Sequence, residues 1–260
     1  MGQKSKAVFE VLLFLITLIL VMAIIDITID PIYACWLKKA FMILLGVSVI
    51  VAKRKHKEYG LIPYNIRLSI KWGFVILIIF VAPAAVVLAI LNKTVEYPGL
   101  LVDFVWFMIF TGFAEEIAFR GYIQSRLNEC FTKTYNSFIG FKVRWHEGTL
   151  ITGALIFGPI HLLNAINFRT GEISISLALV FIVIGASFFG VLFGILREIS
   201  GDVILCSILH GIIDFVAISL CTKICEPLYW VPLAVSFFIF FGLIFEKMLG
   251  DFHRLNDLSH

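Results

Sequence analysis

Residues 100–120 read LLVDFVWFMIFTGFAEEIAFR. From Leu100 to Phe113 the stretch has the composition of a membrane helix. It then runs into two adjacent carboxylates, Glu115 and Glu116, with Arg120 one helical turn further on. An ion placed in hydrocarbon costs roughly 2.5–3.5 kcal/mol on insertion scales. A chain that keeps three of them together in such a helix has a use for them.

The rest of the chain is of the same kind. Its 260 residues are 60% hydrophobic and 15% charged, with a mean hydropathy of +1.00, whereas a soluble domain is roughly 45–50% apolar and 25% charged. Apolar runs of spanning length fall at about 8–29, 32–52, 72–91, 100–120, 149–166, 173–195, 202–221 and 228–245. They predict an all-α, polytopic membrane helix bundle of about eight transmembrane helices. The fourth continues as helix to about Asn128, since nothing after Gly121 breaks it, and Gly60 to Lys71 reads as a short interfacial helix starting at Pro63. Residues 1–99 form N-terminal transmembrane helices, 100–221 a core with the polar motifs, and 222–260 a last helix and tail, all in one compact membrane domain. Small residues at Gly148–Gly153 and Gly185–Gly194 let helices approach closely.

The net charge of +3 sits in the connections and gives no reason to expect nucleic acid as a partner. Lys53, Arg54, Lys55, Lys57, Arg67 and Lys71 separate spans two and three, and Arg126, Lys133, Lys142 and Arg144 separate spans four and five. The positive-inside rule puts both connections in the cytoplasm, with both termini inside. Lys4 and Lys6 precede an apolar run reaching about Ile29. That is longer than the roughly 7–15-residue core of a signal peptide, so a retained first span is expected. Cys35, Cys130, Cys206, Cys221 and Cys225 show no CxxC pair or zinc spacing and read as small apolar residues. Cys221 and Cys225, four apart on one helix face, make a poor disulfide.

Helical spacing organises the polar residues. Glu116 and Arg120 are four apart and can pair. Glu115, turned by about 100° from its neighbour, is left as the available carboxylate, and Gly112 and Gly121 flank the cluster. Phe157 and His161 share a face, with Pro159 between them expected to kink the helix. His210 and Asp214 are again four apart, a contact that can set the tautomer or charge of the imidazole. Taken alone, either histidine could be an ordinary core residue. Together, a carboxylate and a histidine can activate water while a second histidine donates to an oxyanion, the parts needed to hydrolyse an amide. Other intramembrane protease patterns are missing: HEGTL at 146–150 lacks the second histidine of HExxH, Ser200-Gly201-Asp202 lacks the first glycine of GxGD, and no GxSG occurs.

EExxxR at 115–120, FxxxH at 157–161 and HxxxD at 210–214 resemble, in that order, the three signature motifs of the CPBP family. That family comprises the type II CAAX prenyl endopeptidases and bacteriocin-processing or Abi-type membrane proteins, and the resemblance covers about 100–221. It implies a glutamate intramembrane endopeptidase in which Glu115 and His161 activate water and Glu116, Arg120 and Phe157 support the site. His210 would contact the oxyanion. The family's last motif residue is often Asn, and here it is Asp214. An ionised Asp cannot donate to an oxyanion, so Asp214 is either protonated itself or orients and charges His210, the reading adopted here. The resemblance implies no cofactor. Zinc, an older reading of this chemistry, is disfavoured because tight ligand spacing is lacking. The implied partners are the lipid bilayer and a peptide or protein substrate, either lipidated or a leader or pheromone peptide. The compact chain and the HxxxD variant suggest a prokaryotic cell membrane, with the site open to the cytoplasm. The alternative is a non-catalytic membrane partner, an immunity or regulatory protein of the same family. A proton-coupled transporter fits less well, because the polar groups cluster and no inverted repeat is visible.

Overall fold

The computed structural model describes residues 2–93, 97–224 and 228–258; Cys225 lies outside them. The described residues form a bundle of eight helices. They are α1 (Gln3–Thr28), α2 (Pro31–Lys53), α3 (Ile66–Ile90), α4 (97–128), α5 (Glu147–Ala165), α6 (Leu177–Ser200), α7 (Ile204–Lys223) and α8 (231–258). Seven of them, all but α4, are long and apolar enough to cross a membrane by length and composition. The remaining helix, α4, carries the Glu-Glu-Arg cluster.

Two connections differ from expectation. The interfacial helix at 60–71 does not form. Asn65 caps α3 instead, its side chain accepting from the Leu68 amide at 3.1 Å, so Ile66 to Lys71 are the first turns of α3 and Pro63 stays in the loop. A side chain that satisfies an orphan amide of the first turn decides where the helix begins. Between α4 and α5, where only a basic loop was expected, β1 (Thr134–Phe138) pairs antiparallel with β2 (Phe141–His146). Ile139 (φ 42°) and Gly140 (φ 91°) form the tight two-residue turn, in which both central residues need positive φ. Along β2, Val143 and Trp145 are buried while Lys142 and Arg144 are exposed, the alternation of a half-covered strand.

Polar contacts fix which helix ends lie together. Glu10 of α1 holds Lys53 of α2 and Arg126 of α4, each at 2.6 Å. Glu198 of α6 accepts from Asn128 of α4 at 3.0 Å and meets His146, at the start of α5, at 2.6 Å. Asp202 caps α7 through the Ile204 amide (2.9 Å) and takes the Ser69 hydroxyl of α3 (2.6 Å). Lys71 pairs with Asp251 of α8 at 2.8 Å. The start of every odd-numbered helix and the end of every even-numbered one therefore share one end of the bundle, with the basic connections and the hairpin. Glu129, just past α4, is raised by burial, but Lys55, Tyr59 and Arg126 outweigh that and hold its carboxyl below the usual range. At the opposite end Lys38 pairs with Asp26 at 2.7 Å.

At the centre stands α7, 67% buried over its apolar window against 22% for α1 and for α2. Glycines bring its neighbours close. A Cβ on Gly112 of α4 would lie 2.5 Å from the Ser207 carbonyl of α7, and one on Gly153 of α5 would lie 2.4 Å from the Val191 amide of α6. Gly153 and Gly190, within the two small-residue stretches, thus set the backbones of α5 and α6 against each other. Adding one methyl group at Gly153 has nowhere to go. Gly153→Ala should lower the thermal midpoint of the detergent-solubilised protein, with an overpacking cost of about 1–3 kcal/mol. Gly242→Ala, where a Cβ meets nothing within 4 Å, should leave that midpoint unchanged.

Candidate active site

Glu116 and Arg120 are both fully buried and meet at 2.8 Å. The second guanidinium nitrogen donates to the Gly190 carbonyl of α6 at 3.0 Å. The plane lies over the Phe157 ring, 4.1 Å from its centroid, with Phe193 at 5.4 Å. Gly190 is what lets a backbone carbonyl serve here, because the close contact with Gly153 brings α6 within reach. A charge pair removed from water is costly unless hydrogen bonds and geometry compensate. The same carboxylate oxygen also takes the His210 Nδ1 at 2.8 Å, so α4 and α7 meet at it while Arg120 ties in α6.

His210 is held on both sides. Its ring stacks on Phe193 at 4.8 Å and stands edge-on to Phe157 at 5.9 Å. With Nδ1 committed to Glu116, Nε2 faces the Glu115 carboxylate at 3.8 Å and Asp214 at 3.5 Å. His161 is fixed by a change of helical pitch. α5 is π-helical over Ile151–Phe157 and tightens to a 3₁₀ turn over His161–Ala165, where the His161 amide bonds to Gly158 and Pro159. The Phe157 carbonyl, bypassed by that amide, accepts from the His161 imidazole Nδ1 at 2.7 Å. A carbonyl only accepts, so Nδ1 carries the hydrogen and Nε2 is free in the neutral ring. Pro159 thus sits at the pitch change, and the helix runs through it.

Glu115 points away from Glu116, as the helical spacing requires, but it is not unpartnered. It forms an ion pair with Lys39 of α2, 76 residues away in sequence. Lys39 was not singled out from the sequence. The signal was two lysines inside an apolar run, and an intramembrane ionisable residue is a functional candidate by default. Only the packing distinguishes them, since Lys38 turns to Asp26.

Two cavities meet at this point. One, of about 280 Å³, lies between α1, α2, α4 and α5, and its polar lining is Asp26, Lys38, Lys39, Glu115, His161 and Asn164. The other, of about 250 Å³, lies between α5, α6 and α7 and is lined by Glu115, His161, His210 and Asp214 among aromatic rings. Glu115 and His161 line both. The structure therefore gathers Glu115, Glu116, Arg120, Phe157, His161, His210 and Asp214 into one cluster. Among the described residues no three His, Cys, Asp or Glu side chains are disposed to hold a metal ion.

Neither a curated protein nor a solved structure matches the chain. The family model described as Type II CAAX prenyl endopeptidase Rce1-like matches residues 97–216, a little under half of the chain. The matched stretch begins with α4, ends in α7 and contains every clustered motif residue. Residues 97–216 thus match the type II CAAX prenyl endopeptidase Rce1-like family that the three motifs resemble.

Proposed function

We propose that this multi-pass membrane protein is an intramembrane endopeptidase that hydrolyses a peptide bond with water activated by Glu115 and His161. The observation that carries this reading is the position of those two side chains on the wall shared by both cavities, with the His210 Nε2 facing the Glu115 carboxylate at 3.8 Å. The family match over residues 97–216 supports a peptidase at the coarse level.

In the proposed reaction a water gives its proton to the Glu115 carboxylate while its oxygen bonds to the scissile carbonyl carbon. The His161 Nε2 accepts a hydrogen bond from that water and orients it. The carbonyl oxygen becomes an oxyanion next to the His210 Nε2. With Nδ1–H given to Glu116, Nε2 can donate only from the imidazolium, and Asp214 supplies the counter-charge at 3.5 Å. When the C–N bond breaks, the proton on Glu115 passes to the leaving nitrogen, which restores the carboxylate. Lys39 holds one Glu115 oxygen and so aims the other at the second cavity. No step is routed through a metal.

One observation favours a second reading. The Lys39 ammonium occupies an oxygen of the proposed base, which would also suit a non-catalytic membrane partner that keeps the family's motifs as structure.

Comparing peptide termini by mass spectrometry in host membranes carrying wild type or Glu115→Gln, at equal abundance, separates the two. Glu115→Gln and His161→Gln should each lower the appearance of the new termini at least ~10²-fold, the usual scale of acid–base catalysis. Termini that are identical in wild type and Glu115→Gln, with a cellular phenotype that both support, would establish the non-catalytic reading. On the substrate so identified, Lys39→Met should lower kcat by ~10-fold or more with KM little changed, because a misaimed base loses orientation rather than binding. Lys39→Arg should restore most of it, and faster cleavage by Lys39→Met would show that the ion pair restrains the base instead of aiming it.

A further inference from the structure

The β1–β2 hairpin does not stand off the bundle but lies along α6 and α8. Its base is fixed where His146 meets Glu198, near the end of α6, at 2.6 Å. At its far end Phe138 stacks on Phe188 of the same helix, with ring centroids 5.7 Å apart. About 15 Å of helix separates Phe188 from Glu198, and β2, from Phe141 to His146, is about 16 Å long. The two lengths agree, so the hairpin hangs from the basic end inward along α6. On its other side Phe141 stands edge-on to Phe245 of α8 at 4.9 Å.

The Ile139-Gly140 turn comes to rest where the exposed apolar surface of the helices ends. On α6, Phe181, Ile184 and Phe188 are exposed, whereas everything from Gly190 to Ser200 is buried apart from Glu198. On α8, the exposed Phe238 and Leu243 give way to the exposed charges Glu246 and Lys247. The turn is apolar as well. Ile139 adopts a positive φ that a β-branched residue rarely takes, and at 52% exposure about half of it is left uncovered. Above the turn the hairpin is basic. Lys142 and Arg144 of β2 face outward, and the exposed Lys133 holds its ammonium over the Tyr135 ring at 5.3 Å. None of these three cations forms an ion pair among the described residues. Glu246 and His253 of α8 line a cleft shared with Lys142, so this face of the hairpin keeps an excess of positive charge.

We propose that the hairpin is an interfacial anchor. Ile139 sits where lipid headgroups give way to acyl chains, and Lys133, Lys142 and Arg144 bind anionic headgroups above it. An apolar tip below a basic, aromatic body matches the order of those layers, and the unpaired cations give the charge complementarity. The ribbon goes no deeper, because the free edges of two strands would leave amides and carbonyls without partners in hydrocarbon. The anchor also braces the second cavity. Phe188, under the tip, stands edge-on to Phe189 at 5.4 Å, and Phe189 lines that cavity with Glu115 and His210. The inference rests on the fold and not on the peptidase reading.

The test uses the full chain with Cys225 and the two cysteines that are not buried, Cys35 and Cys130, replaced by alanine. One new cysteine is added at a time: Ile139→Cys at the tip, Arg144→Cys on β2, or Lys57→Cys on the α2–α3 connection. Each is labelled with the fluorophore NBD and placed in nanodiscs of phosphatidylcholine and phosphatidylglycerol. At Ile139 the label should be quenched by lipids with a nitroxide high on the acyl chain and shielded from aqueous iodide. At Arg144 it should be quenched by a headgroup nitroxide, and at Lys57 it should be open to iodide. A label at Ile139 as open to iodide as that at Lys57 overturns the insertion and leaves the hairpin as a surface for a soluble partner. Headgroup charge is read without any new cysteine. Detergent-solubilised wild type should have a higher thermal midpoint with added phosphatidylglycerol than with phosphatidylcholine, and the combined Lys133→Gln, Lys142→Gln and Arg144→Gln variant should lose that gain. No gain in wild type, or an equal gain in both proteins, overturns the assignment of anionic headgroups to these side chains.

Discussion

Everything near the centre of this bundle is arranged around the buried Glu116–Arg120 pair. Two full charges at zero exposure are tolerable only because each is hydrogen-bonded and packed. The requirement propagates outward. Arg120 needs the Gly190 carbonyl, which needs α6 against α5, which needs Gly153 without a side chain. Glu116 needs His210, which needs α7 against α4 at Gly112. The rings of Phe157 and Phe193 close over the guanidinium and at the same time hold the His210 plane. A single electrostatic demand thus sets the spacing of four helices and leaves His210 with one nitrogen fixed and the other facing Glu115.

The polar groups fall into two kinds. Glu10, Lys53, Arg126, Glu198, Asp202, Lys71 and Asp251 fasten helix ends to one another at the basic end. Glu115, Lys39, His161, His210 and Asp214 line cavities instead. The pair between Lys39 and Glu115 is the only contact described above that joins an N-terminal helix to the motif residues themselves. It brings α2, outside the family match, into the site.

Much was legible in the sequence where the governing forces are local. Apolar runs located all eight helices, though α3 starts at Ile66, before its run, and α8 continues past its run to Leu258, because polar turns extend both; α4 ends at Asn128 as its lack of breakers implied. The four-residue spacings correctly paired Glu116 with Arg120 and His161 with the Phe157 turn, although the latter contact is to the Phe157 carbonyl. The hairpin at 134–146 was harder to see. Its two short strands are recognisable only by the Val143–Trp145 alternation, and an Ile139-Gly140 turn is a weak signal because isoleucine rarely takes positive φ. The start of α3 was missed because the apolar run begins only at Trp72, whereas the Asn65 side chain caps a more polar first turn.

The sequence alone determined that the chain is a membrane helix bundle, which residues are costly to bury, and which of them share a helical face, because hydropathy and the helical repeat act within one segment. Only the tertiary structure decided what those residues meet. Glu115 finds Lys39 across 76 residues and Glu116 finds His210 across 94. Contacts between helices depend on packing depth and rotation about each axis, which glycine contacts and buried charge set jointly and no single helix encodes.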